Sequence, residues 1–131
     1  MNKEEKELLL RDLCNRLPYN VMCQVEFKED GKYNSKVMLL SGIFTDEAYF
    51  TTKGGSIYSN EYKPYLFPLS SMTEEEQRIL DSMYNGVEMV SRLSGLKMFD
   101  KAFNWLNENH FDYRGLIEKG LAIDATDKNI Y

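Results

Sequence analysis

The chain's one histidine, His110, has a carboxylate two positions away on either side, Glu108 and Asp112. An imidazole with a neighbouring acid is a pairing used for general acid–base work, and Cys14 or Cys23 could be a nucleophile for it to activate. Neither cysteine lies in a context that marks a catalytic thiol, and a lone histidine beside Phe111 at a helix end more often caps or packs than reacts. No catalytic residue is assigned on this pattern. A metal site fares no better, because one histidine and two cysteines on different elements lack the close ligand pairs of a zinc site. Asp30-Gly31 lacks the further acidic ligands of a calcium loop. Gly54-Gly55-Ser56 precedes a strand-like run and has no Lys-Ser/Thr pair, so it is a turn rather than a phosphate cradle. No cofactor is expected.

Two further groups could bind rather than react. Glu74, Glu75 and Glu76 follow Thr73, and a helix N-terminus already accounts for carboxylates there. The set Tyr58, Tyr62, Tyr65, Phe67 and Met72 is rich in residue types that favour partner-binding surfaces, so it is the candidate interaction surface, with ordinary burial as the competing reading.

The elements that must position these residues follow from periodicity. In 3–16, KEEKELLLRDLCNR, carboxylates open the helix and Arg16 closes it, as the helix dipole favours. Leu9, Leu13 and Leu17 form its apolar row, with Leu10 and Cys14 beside it, and both cysteines read as small core residues. Pro18 stops the helix. From Val21 to Phe27 the period becomes two, a strand with one wet face. Asp30-Gly31 suits a hairpin turn. Residues 36–44 are apolar at nearly every position, which predicts a central strand covered on both faces. Thr45-Asp46 reads as a turn, 48–52 as a third strand, Gly54-Gly55 as another turn, and 56–59 as a fourth strand. Tyr62 to Ser71, with two prolines, reads as a packed connection too rigid for a strand interior.

Thr73 with Glu76 forms a reciprocal capping pattern and starts a helix, which Asn85-Gly86 breaks or kinks. Gly95 separates that region from a helix over 96–109, whose apolar face is Leu96, Phe99, Ala102, Phe103 and Leu106. Asp112 then caps a short helix over 113–119, ended by Gly120, and Trp105, Phe111 and Tyr113 anchor this corner to the sheet. The tail after Gly120 begins apolar and turns polar, as a fraying end does.

At 131 residues with 43% hydrophobic and 28% charged residues, the chain fits one globular domain, 1–131. Its net charge of -5 offers no basic face, which disfavours nucleic-acid binding. The longest apolar run, around Val37 to Leu40, is far short of the roughly 20 residues of a membrane span. The opening residues lack the apolar core of a secretory signal, and two cysteines form no disulfide framework, so the expected location is cytoplasmic.

Three stretches, KEEKELLLRDLCNRLPYNV at 3–21, KPYLFPLSSMTEEE at 63–76 and WLNENHFDYRGLIEKGLAIDA at 105–125, resemble small uncharacterised proteins of gut Bacteroides and their phages or mobile elements. No activity attaches to that resemblance, so no site residue is carried over. It implies a bacterial or phage cytoplasm and an accessory role. The expected fold is α+β: an amino-terminal helix, an antiparallel meander of three to four strands, then two to three helices packed on the sheet. The expected function is that of a non-enzymatic interaction or accessory protein, binding an unknown protein partner or a second copy of itself. The alternatives are a small enzyme using His110 with a nearby carboxylate and, third, a nucleic-acid-associated protein.

Overall fold

The computed structural model describes residues 1–44, 47–84 and 92–131. It has an α+β architecture with helix α1 (Lys3–Arg16), five consecutive strands, helices α2 (Glu74–Tyr84) and α3 (Arg92–Glu108), and two short late strands. Strands β1 (Met22–Glu29), β2 (Lys32–Ile43), β3 (Ala48–Thr52) and β4 (Gly55–Ser59) form the expected antiparallel meander. Asp30 and Gly31 take left-handed φ values of 51° and 78° in the first hairpin, which a two-residue turn between twisted strands requires.

The sheet is larger than the sequence suggests. Among the described residues it has seven strands, in the path β4-β3-β2-β1-β5-β6 with β7 also on β5. The addition is β5 (Tyr62–Pro68), the segment expected to be a connection. Its prolines do not interrupt a ladder: Pro64 faces Cys23 at the last residue paired with β1, and Pro68 closes the strand. Beyond Pro64, β5 turns its pairing to β7 (Ile123–Asp124) and then β6 (Phe111–Asp112), both parallel. The sheet is thus mostly antiparallel with a parallel margin.

Burial alternates along the meander, so one face is the core. Cys23, Val25, Met38, Leu40, Phe50 and Leu66 turn inward against Leu9 and Leu13 of α1 and against Leu116, Leu121 and Ala122. The other face is open: Val37 and Phe44 are exposed, so β2 is central in the sheet but not covered on both sides. Cys14 is likewise exposed, while Cys23 is buried.

Helix α3 begins earlier than expected, and Gly95 lies inside it rather than before it. Of its expected apolar face only Ala102 and Leu106 are buried; Leu96 and Phe103 are exposed. The expected helix over 113–119 is absent and turns replace it. Asp112 does act as a cap, its carboxylate accepting from the amides of Arg114, Leu116 and Ile117, but Gly115 adopts a φ of 72° that no α-helix interior admits. The Thr73–Glu76 capping box forms in both directions, at 3.0 and 3.1 Å. The expected turn at 45–46 and break at 85–86 lie outside the described residues. Among the described residues no helix is long and apolar enough to cross a membrane.

Candidate functional site

Helix α3 ends in a tight corner that sets His110. Asn109 Nδ2 donates to the Trp105 carbonyl, the His110 amide donates to the Asn107 carbonyl, and His110 takes a left-handed φ of 63°. The chain then runs into β6, and the Phe67 amide donates to the His110 carbonyl. The imidazole is placed under Tyr131, whose ring lies parallel at 3.6 Å between centroids and 12° between planes.

Around this pair a groove of about 580 Å³ is lined by Phe67, Phe111, Asn109 and Ser71, with Glu76, Glu108 and Asp127 contributing carboxylates. The imidazole is poorly placed for acid–base work. Its Nδ1 is buried without a hydrogen-bond partner, so neither Glu108 nor Asp112 orients it, and the Asp112 carboxylate is committed to backbone amides. Burial, and secondarily the Arg16 cation, lowers the His110 pKa to about 4, which leaves the ring neutral at neutral pH. The His110–carboxylate pairing weighed as the alternative reading is not made. Cys23 is no nucleophile in this setting: burial first and the Asp12 carboxylate second drive its thiol pKa upward, away from the reactive thiolate.

Tyr131 itself is tied across the sheet. Its hydroxyl accepts from the Met22 amide at 2.9 Å and donates to the Tyr65 carbonyl at 2.7 Å, linking β1 and β5 just past Pro64, which has no N–H. The residue as a whole is 45% exposed, but its ring lies between His110 and Phe67 and its hydroxyl is enclosed, and that enclosure raises the phenol pKa.

Behind the groove lies a charged core that the sequence reading did not anticipate. Asp12 and Arg16 are both fully buried, joined by Nε–Oδ2 at 2.6 Å and Nη2–Oδ1 at 3.1 Å. Arg16 also donates to the Phe111 carbonyl, and Arg114 reaches Asp12 at 2.8 Å while its guanidinium lies over the Tyr113 ring. A signal was present: Leu9, Asp12, Leu13 and Arg16 share the i, i+3, i+4, i+7 spacing of one helix face.

The candidate interaction residues part company. Tyr58 is exposed on edge strand β4, its ring 4.9 Å from Tyr49 and 5.6 Å from Phe44. Tyr62 packs on Phe50 at the core, and Tyr65 is buried with its hydroxyl donating to Gln24. Phe67 joins Phe111 and Tyr131 in the His110 groove, and Met72 is half-buried beyond β5. Among the described residues no group of three histidines, cysteines or carboxylates is placed to hold a metal ion. Comparison of the chain with protein-family models, with curated proteins and with solved structures found no match.

Proposed function

We propose that this is a small non-enzymatic interaction or accessory protein of a bacterial or phage cytoplasm, working through the outer face of its antiparallel sheet. One observation carries the reading. Tyr58 (55% exposed), Phe44 (53%) and Val37 (41%) leave large apolar groups in water on a face where the Tyr49 and Tyr58 rings meet at a tilt and Ser41 bonds Thr51. Aromatic groups held rigid by their neighbours, set among hydroxyls, are the usual anchors of protein–protein recognition. A partner with an apolar patch and peripheral hydrogen-bond donors fits, whether a different protein or a second copy.

The test is a pair of substitutions, Phe44→Ala with Tyr58→Ala, assayed by capture of partners from host lysate and by sedimentation. Loss of association with an unchanged melting temperature supports the reading. A wild-type protein that stays monomeric and retrieves no stable partner overturns it.

The runner-up, an enzyme at His110, draws support from the carboxylates that line the same groove. It requires a turnover that His110→Ala abolishes. The third reading, nucleic-acid association, requires retention on heparin at low salt, against the net charge of -5.

A further inference from the structure

The His110 groove already holds a flat ring, and the manner in which it does so describes a ligand. Tyr131 lies parallel to the imidazole at stacking distance, 3.6 Å and 12°, with Phe67 tilted against it at 5.9 Å. At the far edge of the ring one hydroxyl both accepts from the Met22 amide and donates to the Tyr65 carbonyl. These two backbone groups form a fixed donor–acceptor pair at the end of an aromatic slot.

We propose that this slot is a binding site for an uncharged heteroaromatic ligand of the aminopurine class, for which Tyr131 stands in as an internal occupant. A ring nitrogen next to an exocyclic amine presents an acceptor and a donor side by side, so it answers both Met22 and Tyr65 as the hydroxyl does. The flat π-system replaces the phenol on His110. The groove beside the slot carries Glu76, Glu108 and Asp127, which repel a phosphate and select the nucleoside over the nucleotide.

Tyr131 is suited to leave. It is 45% exposed and sits in a stretch without helix or strand, in which Asp127 and Asn129 hold left-handed φ values of 62° and 53°. Tethered so close, it competes at high effective concentration, so the intact protein binds such a ligand weakly. The site shares none of these residues with the Phe44–Tyr58 patch and goes beyond that reading.

The experiment is a titration of wild type, Tyr131→Ala and Tyr131→Phe with adenosine, adenosine 5′-monophosphate and purine riboside, which lacks the amine. The readouts are calorimetry and emission of the chain's single tryptophan, Trp105, stacked on Phe111 at the groove wall. Adenosine should bind Tyr131→Ala at least tenfold more tightly than wild type. The monophosphate and purine riboside should each bind several-fold more weakly than adenosine, and His110→Ala in the same background should abolish binding. If Tyr131→Ala fails to fold, Tyr131→Phe, which keeps the ring and loses both hydrogen bonds, should still bind adenosine better than wild type. The proposal is overturned if the folded variants bind adenosine no better than wild type, or if the three probes bind alike.

Discussion

Asp12 is one anion between two cations, Arg16 and Arg114, at distances of 2.6 and 2.8 Å, and it is fully buried. Removing it strands a buried guanidinium whose Nη1 already lacks a partner, so Asp12→Ala should cost about 3–5 kcal/mol in chemical denaturation. The exposed Arg78–Glu75 pair at 3.5 Å is the control, worth about 0–1 kcal/mol. His110 supplies a pH test. Its folded pKa of about 4 lies below the unfolded value of 6.5, so its contribution to stability is complete above pH 6.5. It is lost as pH falls toward and through about 4, because the unfolded chain takes the proton first. Arg16 from α1 is the cation that helps to exclude the proton, and Glu76 and Glu108 share the groove. Melting of His110→Gln should show a shallower acid decline than wild type. At this scale little was legible in advance. The sequence marks Arg16 as a helix-end charge, and its burial depends on Phe111 and Arg114, which come from nearly a hundred positions away in the chain.

Elements were more legible where the signal is local. The capping box at Thr73 and Glu76, the helix ended by Pro18 and the hairpin at Asp30-Gly31 all depend on neighbours within four residues, and all formed as read. Thr73→Ala should therefore cost about 1 kcal/mol of stability. Misreadings occurred where distant partners override local preference. YKPYLFP is a poor strand by composition, yet its two edges are claimed by β1, β7 and β6 at successive residues, which leaves each proline where no ladder donor is needed. The stretch after Asp112 looks helical by capping, but the carboxylate folds three amides around itself and Gly115 turns left-handed. With open space around its Cα, Gly115→Ala should destabilise through backbone strain alone, by about 1–2 kcal/mol, measurable by denaturant midpoint.

For the molecule as a whole, β5 is the joint between the meander and everything after it. Leu66 is fully buried, and its carbonyl accepts from the Ala125 amide. Leu66→Ala should cost about 2–5 kcal/mol. If residues 1–131 fold as one domain, loss of sheet ellipticity and of Trp105 burial should coincide in that variant as in wild type. Two separated transitions would instead mark two cooperative units.

That position of β5 also bears on how the chain reaches its fold. Its pairings join Tyr62 to Val25, Phe67 to Phe111 and Tyr65 to Ile123, contacts that close long loops. Such topology slows folding, since loop-closure entropy is spent before the pairing rewards it. During that interval β5 is an apolar strand with neither margin satisfied. Pro64 and Pro68 cannot donate to a foreign strand, so the residues that disguise β5 in the sequence also remove two of the donors that a copy of the chain would need to pair with it.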